Sequence, residues 1–449
     1  MIGKDRILST LEGIVKRSPA EQTEAVFIGN TSSLTRYANS TIHQNVAETD
    51  SKVYFRTFVG RRMGVASTNS FVPGDLKRAL LNSYYIAQNQ RENPDLAELP
   101  TKATYRKLRT HFKSTASFTP GQRAERVKKI FKRAAAHDLN IAGSFSTSES
   151  EIAIVNSRGV RAYQPLSGAS INVIALSDSS SGYAEGLSRK VGDLDFDRVA
   201  DTAIKKCLNS RAPKEVRPGK YSVILEPCAV ASIMEWLNYI AFGARQLQEG
   251  TSFLSGKIGK KVLGENITIY DDGNDESGVA FPFDFEGVPK KKVHFVQKGI
   301  AKGVAHNTLT AHRSKTESTG HAIMPEYPED PMALNLFVQG GNTSLSRMIS
   351  SVDRGLLITR FHYINGYLDT TKAVMTGMTR DGTFLVEGGK IQHGVKNLRF
   401  TDSMVRALSN VAMLSRERQV INSWWQDVGC LVCPAMLVKN FNFSGKTQF

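Results

Sequence analysis

The apolar positions at the start of the chain recur at helical spacing. Ile7, Leu8, Leu11, Ile14 and Val15 form one stripe, with charges between them. Ala25-Val-Phe-Ile-Gly29 follows as a short apolar strand. Val53 to Val59 alternates as a strand does, and Gly60-Arg-Arg turns it. Pro73 to Asn89 reads as a helix, with Leu76, Ala79, Leu80 and Ile86 inside. Residues 91–119 are polar and aperiodic. Thr119-Pro120 supplies a cap and a first helical position for a helix running to His137. Its inward stripe is Val127, Ile130, Phe131 and Ala134. Glu151 to Tyr163 reads as two strands around an Asn156-Ser-Arg-Gly159 turn, and Gly168 to Ser177 as another strand. Asp195 to Leu208 is again helical, and Pro213 to Gly219 is the best linker.

The second half carries more strands. Tyr221 to Glu226 feeds a helix whose apolar positions are Val230, Ile233, Leu237, Ile240 and Ala244, and this helix is expected to run into the Gly250-Thr-Ser turn. Short β runs follow at Ile267, Lys292, Asn335, Gly355 and Thr383. Thr401 to Leu414 reads as a helix. Short strands at close spacing suggest a barrel or a sandwich-like sheet. No internal repeat is evident.

Composition adds bounds. The 449 residues are 41% hydrophobic and 22% charged, ordinary for a globular protein of two or three domains. No apolar run is long enough to span a membrane, and no secretory core is present, which favours a cytoplasmic protein without a membrane role. The net charge of +16 is concentrated between Lys102 and Arg133, where Glu125 is the single acid. Its bases are expected on the solvated face of the Thr119 helix. Such a surface can attract acidic partners, but no nucleic-acid motif accompanies it. Four cysteines do not make a disulfide framework. Cys430-Leu-Val-Cys433 lies in a strand-like context, so its two side chains should point to opposite faces. Asp271, Asp272, Asp275 and Glu276 lack cation-loop spacing and read as a solvated turn. The nine histidines are scattered, and His306 and His312 read as structural.

Several segments recur in one order. They include Arg36-Tyr-Ala-Asn-Ser-Thr-Ile-His-Gln-Asn45, Asn156-Ser-Arg-Gly159, Phe283-Asp-Phe-Glu-Gly-Val-Pro289, Ser318-Thr-Gly-His321, Glu387-Gly-Gly-Lys-Ile391 and Pro434-Ala-Met-Leu-Val438. Together they resemble the TldD/PmbA family of zinc peptidases, also called modulators of DNA gyrase, over nearly the whole chain. The resemblance implies an α+β fold. Residues 1–217 would form an N-terminal α/β domain, and 218–449 a C-terminal, mostly-β, barrel-like domain. In the metal-binding branch the helix after residue 226 carries His-Glu-x-x-x-His. Zinc asks for about three protein ligands and an open position, with a nearby glutamate taking the proton from bound water. Counting back from Gly250 places those positions at Glu235, Trp236 and Ile240; a one-residue shift gives Met234, Glu235 and Tyr239. Neither register supplies an imidazole. Counting back from Pro434 puts Val420 where the TldD branch has a ligand cysteine.

The chain therefore resembles the PmbA/TldE branch. That likeness implies no cofactor in this chain and zinc in a TldD-like partner. It also implies a heterodimer or homodimer acting on unfolded peptides. A groove for such peptides could use Gly320, Gly340 and Gly341 for close backbone approach. Two alternatives stay open: a self-sufficient metallopeptidase with ligands elsewhere, and a basic binding protein for nucleic acid or gyrase-related partners.

Overall fold

The computed structural model describes residues 1–423 and 428–447. Six long strands form the first sheet: β1 (Gln22–Ala38), β2 (Thr41–Val59), β3 (Arg62–Thr68), β4 (Asn140–Asn156), β5 (Arg161–Leu176) and β6 (Ser181–Ser188). The order is β3-β2-β1-β4-β5-β6, and every pairing is antiparallel. The first half of the expected α+β fold is thus an antiparallel sheet with helices, in which hairpins rather than crossovers join most neighbours. The β1–β2 hairpin closes on Asn39 and Ser40 with φ of 49° and 54°, the left-handed pair a tight two-residue turn requires.

Strand alternation sorts the two faces of this sheet. One face, including Phe27, Phe55, Phe145 and Val173, packs under helices α1 (Lys4–Val15), α2 (Pro73–Asn89), α3 (Lys113–Ala116), α4 (Pro120–Ala135) and α5 (Phe196–Asn209). The other face, with Val26, Tyr54, Ile152 and Ile154, meets Phe281, Phe283 and Phe285 of the second half. The capping box at Thr119 and Gln122 forms as the sequence indicates. The helix it starts differs from expectation at one base. Arg123 is buried, donating to Thr35 Oγ1 at 3.0 Å and to the Phe118 carbonyl at 2.9 Å. The neighbouring Lys128, Lys129 and Lys132 are exposed.

The second half builds a mixed sheet. Its strands are β7 (Gly219–Leu225), β8 (Ile269–Asp271), β9 (Val293–Gln297), β10 (Ile300–Ala301), β11 (Asn335–Val338), β12 (Arg354–Asp369), β13 (Val374–Glu387), β14 (Lys390–Gly394), β15 (Leu398–Ser403), β16 (Val411–Asn422) and β17 (Cys430–Lys446). The path β17-β15-β13-β12-β7 returns to β17 through Met436–Leu225 and Val438–Val223, so the sheet curls into a ring. That is the barrel-like character expected of a mostly-β half. The helix expected over Thr401 to Leu414 is corrected: only Met404–Ser409 is helical, capped by Ser403, between β15 and β16. Alternation of inward Leu398 and Phe400 with outward Arg399 holds the first part in a strand. No helix among the described residues is long and apolar enough to cross a membrane.

A buried ion cluster ties the halves together. Arg56 on β2 reaches Glu24 on β1 at 2.9 Å and Glu286 of the second half at 3.0 Å, all three nearly solvent-free. Two carboxylates share one guanidinium. Glu286 also accepts the Thr308 N–H at 2.9 Å, whereas neither Glu24 oxygen has an aligned hydrogen-bond donor. Burial therefore pushes Glu24 from 4.5 up to about 7, against the pull of Arg56. The folded chain holds this proton at pH values where the unfolded chain has released it. Stability should fall as pH rises from about 4.5 to about 7, at up to about 1.4 kcal/mol per pH unit from this one group. Urea unfolding at pH 5 and pH 7.5 checks the sign. Glu24→Gln should flatten that slope, and a variant as steep as the parent would show that another group carries it.

Candidate functional site

The helix that follows β7 crosses the ring. α6 (Pro227–Leu237) lies against β12 and β17 and is almost wholly buried. It does not continue to the Gly-Thr-Ser turn as the periodicity suggests. A π turn, Asn238–Phe242, interrupts it, and Gly243 is extended with φ of −79° and ψ of 147°. A short helical segment, Ala244–Gln248, then resumes.

Two features cause the break. Asn238 is buried and uses its amide as if it were a strand edge. Its Nδ2 donates to the Ala333 carbonyl at 2.8 Å, and its Oδ1 accepts the Ala333 N–H at 3.2 Å. Gly243 sits where a Cβ would lie 2.6 Å from the Pro331 carbonyl, and the flanking Phe242 and Ala244 bond with Ala305. The interruption bears on the motif positions. Residues five apart on an α-helix are turned about 140° from each other, whereas a π turn closes i→i+5 and brings them toward one face. Of the motif positions, Glu235 and Trp236 lie in α6 before the break and Ile240 lies within the π turn.

The side chains there do not suit zinc. Glu235 is buried and accepts from Ser423 Oγ at 2.8 Å. Trp236 turns the other way, edge-on to Tyr239 and Tyr367 at centroid distances of 6.2 and 5.4 Å. Ile240 is in the core. In the shifted register Met234 is fully buried in the same core, and Tyr239 completes the aromatic group. Among the described residues no three His, Cys, Asp or Glu side chains converge on a metal-sized point. One carboxylate, an indole and an alkyl chain do not make a zinc donor set.

Val420 does not complete the set either. It joins Tyr270, Phe337, Cys430 and Val432 on one face of the sheet, whereas its neighbour Ile421 joins the core that holds α6. Ser423 is the β16-side residue that meets Glu235, and counting along the sequence missed it. Cys430 and Cys433 do point to opposite faces of β17. Cys430 donates to Asn335 Oδ1 at 2.9 Å, and burial pushes its thiol up to about 12, and that of Cys433 higher still.

The three groove glycines serve the chain's own backbone. A Cβ at Gly320 (φ +74°) would lie 2.5 Å from the Pro289 carbonyl, one at Gly340 2.9 Å from that of Arg416, and one at Gly341 2.4 Å from that of Leu414. They explain turns and close packing and do not by themselves outline a groove.

Open space lies on both sides of α6. On the aromatic side a cavity of about 580 Å³ is lined by Tyr239, Ile240, Arg245, Tyr327, Asp330 and Tyr367, among others. Arg245 pairs with Asp330 there at 2.9 Å. On the Glu235 side a cavity of about 200 Å³ runs between Ser423 and a serine-rich wall of the first sheet, Ser146, Ser148, Ser150, Ser167 and Ser170. β6 and β16 face each other near this space. Each pairs with one strand only among the described residues, and Gln419 Nε2 bridges them by donating to the Glu185 carbonyl at 2.9 Å.

The acidic loop near Asp271 departs from the solvated turn the sequence indicates. Asp271 is fully buried, 3.0 Å from His321 Nε2, while Asp275 caps its own turn by accepting the Ser277 N–H. Although burial opposes it, Lys290 and His321 hold the Asp271 carboxyl below its usual range; burial and Lys290 lower His321. An ionised aspartate beside a neutral imidazole is a structural pair under the ring.

This is a two-sheet α+β frame with an interrupted helix packed against a strand ring. PmbA/TldA metallopeptidase profiles match it in order: domain 1 over residues 23–87, the central domain over 113–211 and the C-terminal domain over 218–445. The chain belongs to the PmbA/TldD metallopeptidase family. It superposes on TldE from Thermococcus kodakarensis with a TM-score of 0.88, at 20% identity, covering 98% of this chain and 99% of that one. It is 25% identical over 270 residues to a metalloprotease TldD homolog of Buchnera aphidicola, covering 56% of this chain and 54% of the relative. It is 22% identical over 273 residues to metalloprotease PmbA of Escherichia coli O157:H7, covering 60% and 56%. The chain spans about half the length of these curated relatives.

Proposed function

We propose that this chain is the zinc-free, PmbA/TldE-like subunit of a TldD/TldE-type metallopeptidase that processes unfolded peptides. The observation that carries the reading is the side-chain chemistry at Glu235, Trp236 and Ile240. A carboxylate, an indole and an alkyl chain stand there, and no imidazole is present to hold zinc. Glu235 accepts from Ser423 and has no imidazole pair beside it that would hold a metal-bound water, so on this reading it serves as polar anchoring rather than as a base. Zinc would then come from a TldD-like partner, and the β6 edge beyond the Gln419 contact offers backbone groups to an extended peptide. A dimer, with such a partner or with a second copy, follows from a cleft that one subunit cannot equip.

Two measurements test this together. Elemental analysis of the purified chain should find zinc well below one equivalent. An unfolded peptide should survive the isolated chain and be cleaved when a His-Glu-x-x-x-His homologue is added. Stoichiometric zinc, or cleavage by the chain alone that Glu235→Gln abolishes, would establish a self-sufficient enzyme instead.

A further inference from the structure

We propose that Arg189 is an anchor for the C-terminal carboxylate of a peptide lying in the cleft between the first sheet and the strand ring. The inference rests on the peptide-binding reading above and adds which end of the peptide is recognised. Arg189 follows directly on β6, whose free edge ends at Ser188. Among the described residues its guanidinium has no carboxylate within ion-pair distance. It donates to two backbone carbonyls, Ala280 at 2.5 Å and Thr110 at 3.4 Å, and its buried Nε has no partner. Burial lowers its pKa to about 10, which leaves it cationic at neutral pH. A half-buried, charged arginine without an acid among the described residues is costly unless an anion arrives.

The space for that anion is present. Arg189 lines a cavity of about 280 Å³ together with Arg109, whose guanidinium stacks over Phe112 at 5.0 Å. Two carboxylates also lie at its rim, Asp193 with a lysine partner and Glu276 without a cation among the described residues. Lys190 pairs with Asp193 at 3.2 Å, and Glu276 accepts the Arg109 backbone N–H at 3.2 Å. Arg189 also borders the serine-lined cavity that reaches Ser423, the partner of Glu235. A peptide added to β6 in the parallel sense would end beside Arg189 with its backbone passing along that cavity. A planar guanidinium, whose Nη1 makes only a long bond to the Thr110 carbonyl, matches a carboxylate.

The test uses the full chain and binding alone, so it is independent of zinc and of cleavage. Calorimetry compares one short unfolded peptide as the free acid and as the C-terminal amide, with inorganic phosphate as competitor. The free acid should bind about ten-fold or more tighter than the amide. Arg189→Gln should abolish that preference, while Arg189→Lys keeps part of it. Thermal melting shows whether Arg189→Gln still folds; if it does not, the acid-to-amide ratio on the parent protein decides. Equal binding of acid and amide overturns the proposal, as does a preference that survives in folded Arg189→Gln. Tight phosphate binding with no peptide preference also overturns it, since the site would then serve a free inorganic anion. Absence of cleavage with a metal-bearing homologue would count against the subunit reading and leave this result standing.

Discussion

Arg56→Met should destabilise the protein by about 3–5 kcal/mol, because it leaves Glu24 and Glu286 buried with no countercharge. The figure measures the penalty of stranding charge and is not the net worth of the ion cluster. Replacing the whole cluster by apolar groups of similar volume should cost far less than removing its cation. Arg56→Met combined with Glu24→Gln should therefore recover part of the loss. The cluster also joins the first sheet to the second half, so the effect should appear as a lower urea midpoint for the whole chain and not as a local loosening. A loss below about 1 kcal/mol would mean that water reaches the cluster and screens it, as it does for surface pairs.

Local patterns in the sequence predicted the elements that depend on local physics. The Thr119-Pro120 start, the Pro73 to Asn89 helix and the Asn156–Gly159 turn rest on caps, proline geometry and turn chemistry within a few residues. The facing of Cys430 and Cys433 follows from the pleat alone. What the sequence hid depends on distant partners. The break after Leu237 needs Ala333, Pro331 and Ala305, none of them near in sequence. The burial of Asp271 needs His321 and Lys290. Arg123 reads as one more base in a basic helix until Thr35 and Thr147 meet it across the sheet. At the motif helix the residue types were legible, and they alone argued against an imidazole pair. The Ser423 contact was not legible, because β16 meets α6 only through the closure of the ring. The apolar run in Thr401 to Leu414 fits either period, and pairing with β13 and β17 settles it.

Asn238→Leu tests whether the π turn is imposed by that distant partner. Leucine has a similar shape and a higher helix propensity, so local preference would favour the variant. Tertiary accounting goes the other way. The Ala333 N–H and carbonyl would both lose their buried partner, at about 1–3 kcal/mol each, so a total loss of about 2–5 kcal/mol is expected. Asn238→Asp should cost as much or more, since it restores the acceptor for the Ala333 N–H but sets a buried carboxyl against the Ala333 carbonyl. The break also keeps Trp236 beside Tyr239 and Tyr367 at the mouth of the large cavity. Loss of the amide should let the helix run on as an ordinary α-helix past Asn238, in place of the π turn. Urea unfolding gives the energy, and a crystal structure of the variant gives the turn. A variant that keeps both full stability and the π turn would show that Gly243 and its Pro331 contact suffice to break the helix.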